Sequence, residues 1–174
     1  DDEKKVEDVV RKVKKVAEDV RRRLEKVSRE VKKVLDEVRR RVEEVSREVE
    51  EILRRAASDK KDVEEVKRRS EDSKRRLEEI IKEIEERSRR SNETLKKLIK
   101  ELEDRVRKIK EKVDRGSDAD EVVKRIEDLV RDLERRVDEI VKRNKELVKR
   151  VEEEADKIVE DNKRLAEEVL RKAT

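Results

Sequence analysis

The chain has 174 residues, 61% of them charged, with no aromatic residue, no Cys, Met, His or Pro, and a single Gly. Without Cys or His it has no disulfide, no thiol or imidazole nucleophile–base pair and no soft-metal ligand set. The 55 basic and 51 acidic residues nearly cancel, to +4, which implies no polyanionic partner. No apolar run approaches a membrane span and the opening DDEKK carries no targeting signal, so a soluble chain of unassigned compartment is expected.

Charge this dense with low hydropathy ordinarily means disorder. The spacing of the apolar residues argues for helix instead. The first segment aligns with itself at a shift of eighteen: VEDVVRKVKKVAEDVRRR from Val6, LEKVSREVKKVLDEVRRR from Leu24 and VEEVSREVEEILRRAAS from Val42. The expected core positions are Val6, Val9, Val13, Val16, Val20, Leu24, Val27, Val31, Val34, Val38, Val42, Val45, Val49, Ile52 and Ala56. They recur at steps of 3, 4, 3, 4 and 4. Eighteen residues in five turns is about 3.6 per turn, the period of a straight α-helix; a heptad, at 3.5, would impose a left-handed supercoil. Within the arc formed by Leu24, Val27, Ser28, Val31, Val34, Leu35 and Val38, Ser28 and Ser46 lie at one edge, one repeat apart.

Ala56-Ala57-Ser58-Asp59 closes this array, with Ser58 or Asp59 as a cap for the next helix. In the second segment Val63, Ile81 and Ile99 are equivalent, as are Val66, Ile84 and Leu102. Its stripe also contains Ser70, Ser73, Ser88 and Ser91, two pairs eighteen apart. Gly116 stands where a helix C-terminus needs a left-handed residue. Ser117 or Asp118 then caps a third helix, with Asp118 and Glu121 at capping-box spacing. In that third segment Val122, Ile140 and Ile158 are equivalent, as are Leu129, Leu147 and Leu165. Asn144 and Asn162 sit in mid-stripe, again one repeat apart.

Three segments of similar length with short connections predict an all-α fold. The expected architecture is one domain over 1–174, an antiparallel, up-down-up three-helix bundle of long, nearly straight helices at about 2–57, 59–115 and 118–173. The valine-rich composition costs a few tenths of a kcal/mol per residue in helix propensity, so packing must hold the helices.

A bare asparagine in a core is costly unless hydrogen-bonded. Antiparallel pairing through each turn puts Ser28, Ser88 or Ser91, and Asn144 at one level. The same pairing puts Ser46, Ser70 or Ser73, and Asn162 at another. Asn donates two hydrogen bonds and accepts two, and Ser hydroxyls rotate to meet either role. Two buried hydrogen-bond networks are therefore expected. Their purpose would be register: a shift by one repeat would set asparagine against apolar side chains. Asn92, just outside the arc, either joins the upper network or is a plain surface residue.

The remaining chemistry is sparse. Carboxylates lie on solvent faces interleaved with Lys and Arg, and none falls in the apolar arcs, as a di-metal bundle would need. There is no phosphate-binding glycine loop. The clusters at Arg21–Arg23 and Arg39–Arg41 are flanked by acids and lack aromatics for base stacking. Membrane-surface binding lacks aromatic anchors. No catalytic, cofactor-binding or metal residue, no cofactor, no nucleic acid and no membrane partner is expected.

The 18-residue repeat, the capped short turns, the aromatic-free Val/Leu/Ile core and the Glu/Lys/Arg/Asp surface resemble computationally designed (de novo) three-helix bundles. The Ser70/Ser73/Asn162 and Ser88/Ser91/Asn144 levels resemble designed buried hydrogen-bond networks. Natural spectrin-type repeats, with heptads and aromatic cores, are a poorer likeness. The resemblance implies a structural scaffold with no natural biochemical activity. The alternative is a designed protein–protein interaction module, with a helix-binding groove or a self-assembling face. That alternative predicts exposed valine at the arc edges, at Val10, Val123 or Val141.

Overall fold

The computed structural model describes residues 2–55, 60–116 and 118–173. The period is realised as three helices, α1 (Asp2–Arg55), α2 (Lys60–Asp114) and α3 (Ala119–Ala173), and no strand occurs among the described residues. All three pack against one another as a bundle. Acidic residues open the helices (Asp2 and Glu3, Asp62, Asp120 and Glu121) and basic residues close them (Arg54 and Arg55, Lys112, Arg171 and Lys172). Both placements favour the helix dipole.

Gly116 and Asp118 in the second turn follow their sequence signals. The last turn of α2 tightens as the Arg115 amide donates to the Lys112 carbonyl at 3.2 Å and the Gly116 amide to the Val113 carbonyl at 2.9 Å. Gly116 then takes φ 102°, a left-handed conformation that L-residues rarely adopt. Asp118 is the cap of α3: its carbonyl accepts from the Val122 amide and its carboxylate from the Asp120 amide, both at 3.2 Å. Arg115 and Asp118 thus lie just outside the helices expected to include them, because one is in the turn and the other caps. The expected core residue Ala56, the expected caps Ser58, Asp59 and Ser117, and the first connection lie outside the described residues.

The buried stripe of α1 differs from the expected one by a single step in each repeat. Ala17, Leu35 and Leu53 are buried, whereas Val27 and, in the three repeats, Val16, Val34 and Ile52 are half-buried. These last three lie next on the wheel to Lys5, Arg23 and Arg41, which pair with α3, so they sit at the edge of the arc and not its middle. The trade between propensity and packing is clear in magnitude: burying a Val side chain yields about 1.5 kcal/mol or more, several times its propensity cost.

The chain divides into two compact units, each with a stretch of every helix: Asp1–Arg29 with Arg87–Asn144, and Glu30–Glu86 with Lys145–Thr174. In unit 1, Val13, Ala17, Leu95, Ile99, Ile126 and Val137 are at the centre of the core. In unit 2, Val45, Val49, Leu53, Val66, Ala166 and Val169 form a cluster.

Ion pairs report the register within each unit. In unit 1, Lys5 pairs with Asp120 and Arg23 with Asp138; in unit 2, Arg41 pairs with Asp156. Each partner lies 115 residues further on, so α1 and α3 run parallel and repeat every eighteen residues. On the other flank, Arg21 pairs with Glu103 in unit 1 and Arg39 with Glu85 in unit 2. One repeat forward on α1 is one repeat back on α2, the mark of antiparallel helices.

Candidate functional site

The polar residues between the helices are the part of the chain that packing alone does not explain. Ser46, Ser70, Ser88, Asn144 and Asn162 are buried, Asn162 most deeply at 1% exposure. Ser28, Ser73 and Ser91 are half-buried. Both asparagines stand at the repeat position occupied earlier in α3 by Ile126, which is fully buried. Their companions repeat in the same way. Val10 precedes Ser28 and Ser46 on α1, while Val106 and Ile109 stand one repeat beyond Ser88 and Ser91 on α2. One architectural position is therefore used three times, once apolar and twice polar.

The hydrogen bonds differ from the two expected networks. The Asn144 and Asn162 side-chain nitrogens and the Ser46 hydroxyl are buried without a partner, so each expected network lacks the bonds its central asparagine was to donate. Part of the reason is local competition: the Ser91 hydroxyl donates at 2.9 Å to the Arg87 carbonyl of its own helix, the i−4 alternative always open to a helical serine. Ser28 is instead met by the residue just outside the arc of α2. The Asn92 side-chain nitrogen donates to the Ser28 hydroxyl at 2.6 Å, between α2 and α1 of unit 1.

A second feature was not singled out by the sequence reading. In unit 2, Arg39 meets Glu78 with two bonds, Nη2 to Oε1 at 2.8 Å and Nε to Oε2 at 3.3 Å, and reaches Glu85 Oε1 at 3.0 Å. This fork fixes both planes. Hydrogen bonding to Arg39 holds the Glu78 carboxyl below the usual carboxylate range; partial burial opposes the shift, and the charges of Arg39 and Lys82 assist it. The same bond to Glu78 raises Arg39. The available signal was periodic: Arg21 and Arg39 share a repeat position, as do Glu85 and Glu103.

Among the described residues no group of carboxylates is arranged to hold a metal ion, and no helix is long and apolar enough to cross a membrane. The fold and its repeat define a three-helix bundle on an 18-residue period. Compared with known proteins, the chain matches no protein family, no curated protein and no solved structure.

Proposed function

We propose that the chain is a designed structural scaffold: a three-helix bundle whose task is to hold its own fold, without catalytic activity, cofactor or obligatory partner. The observation that carries this reading is the fate of the arc edges. Val141 is buried, and Val10 and Val123 are half-buried against the core of unit 1, where an interaction module predicts exposed valine. Among the described residues the exposed large hydrophobic side chain is Leu170, at 38%. A lone exposed apolar residue is ordinary for a monomer. Design is supported by the strictness of the repeat, which extends to the ion pairs on both flanks of α1.

Light scattering on a sizing column tests the reading. A single mass near 21.0 kDa at low and high concentration is the expected result. A multiple of that mass would mean that part of the apolar surface belongs to an obligatory partner, and the scaffold reading would fall.

A further inference from the structure

Within unit 1, a groove of about 590 Å³ runs between α2 and α3. Its floor is apolar. Ile109 and Leu129 lie in it, and Leu98 continues it along the same seam; all three are only half-buried. Its rims carry the cations Arg105, Lys108 and Lys112 on α2 and Arg125 on α3. Asp128 and Asp132 also line it, and Glu101 stands at its Leu98 end; Asp128 is engaged on its own helix by Arg131 at 4.0 Å and Asp132 by Arg136 at 3.5 Å. Among the described residues, the side chains of Arg105, Lys108, Lys112 and Arg125 take part in no ion pair or hydrogen bond. Elsewhere in unit 1, Lys5, Arg21 and Arg23 each meet a carboxylate of a neighbouring helix.

We propose that this groove is a docking site for an acidic amphipathic helix, one with an apolar stripe and carboxylates on both sides of it. The form follows from the floor: half-buried Leu and Ile in a row between parallel ridges suit the i, i+3, i+4, i+7 anchors of a helix. The chemistry follows from the rim, where four unneutralised cations call for carboxylates and disfavour a basic helix. The stretch from Leu98 to Lys112 spans about 21 Å, the length of a helix of about four turns. This goes beyond the scaffold reading, because the bundle needs no such partner to close its own core.

The test uses the full chain and two fluorescein-labelled peptides of about eighteen residues with the same Leu stripe, one flanked by Glu and one by Lys. Anisotropy is read at low salt and at about 150 mM salt. The expected result is binding of the Glu peptide at least about tenfold tighter than the Lys peptide. The preference reverses in the Arg105→Glu/Lys108→Glu/Lys112→Glu chain, whose helicity by circular dichroism stays that of the parent. Leu129→Gln weakens both peptides. Equal binding of the two, indifference to the triple substitution, or no binding of either overturns the proposal. So does a single-stranded oligonucleotide that displaces the Glu peptide at equal charge, or a dimer of the chain that the peptide cannot compete away. The mass of the chain without peptide is read separately, so failure here is distinguishable from failure of the scaffold reading.

Discussion

At the α1/α2 seam the two units place polar side chains on the same repeat positions and treat them differently. In unit 1, Ser28 accepts a hydrogen bond from Asn92. One repeat on, in unit 2, Ser46 is more deeply buried and has no partner; the position equivalent to Asn92 is Lys74, which has no short amide to offer. The charged device is reversed. Arg39 of unit 2 holds Glu78 and Glu85, whereas its unit 1 counterpart Arg21 holds Glu103, and Lys96 stands where a second carboxylate would be. A strict repeat fixes geometry so closely that one side chain per repeat decides whether a neighbouring polar group is satisfied.

The comparison is broken most severely on α3. Ile126 of unit 1 and Asn162 of unit 2 are equivalent and both fully enclosed. Ile126→Asn would bury an amide in the apolar core of unit 1 and is expected to destabilise by about 3 kcal/mol or more in urea unfolding. The reverse exchange, Asn162→Leu, removes an unpartnered donor and is expected to stabilise by about 1–3 kcal/mol. Asn144→Leu follows in the same direction or is neutral. A large loss of stability in either leucine variant would show that the asparagines have partners after all.

A smaller effect sharpens the α1/α2 contrast. Lys74→Asn gives unit 2 the arrangement of unit 1 and is expected to add about 1 kcal/mol, while Asn92→Ala removes about as much. A double cycle with Ser46→Ala should abolish the gain from Lys74→Asn, and persistence of the gain would place its origin elsewhere.

The smallest effect is electrostatic. Glu78 is held below its unfolded value, so its contribution is present above about pH 4.3 and is lost as pH falls through the lower folded value. Arg39 and Glu78 keep 34% and 43% of their side-chain surface exposed, so screening limits the term to under about 1 kcal/mol. Glu78→Gln should lower stability slightly at pH 7 and converge with the parent in acid; a constant difference across that range would contradict the assignment.

Much of the fold was legible because it is periodic. Gly116, Asp118 and the 18-residue spacing each act locally, through a left-handed turn, a cap and a helical face. The one-step difference at Ala17, Leu35 and Leu53 was not legible, since Val16, Val34 and Ile52 share the same apolar arc and only the positions of two neighbouring helices decide which is central. The buried polar positions were legible, because Ser and Asn stand out in an apolar stripe. Their bonds were not, since a serine can turn to its own helix, as Ser91 does, and bond length is not written in spacing. Asn92 and Arg39 lie at arc edges, where sequence alone does not separate a seam residue from a surface one.

The central claim is that the chain holds one register although its repeat allows others. The absence of free cysteine among the described residues, and from the whole sequence, makes site-directed spin labelling direct. Labels at Arg23→Cys and Asp138→Cys, on facing helices of unit 1, should give a single short distance by pulsed electron resonance. A second population near about 30 Å, the separation produced when one helix slips along its axis by one 18-residue repeat of about 27 Å, would show helices slipping by whole repeats and would contradict the account.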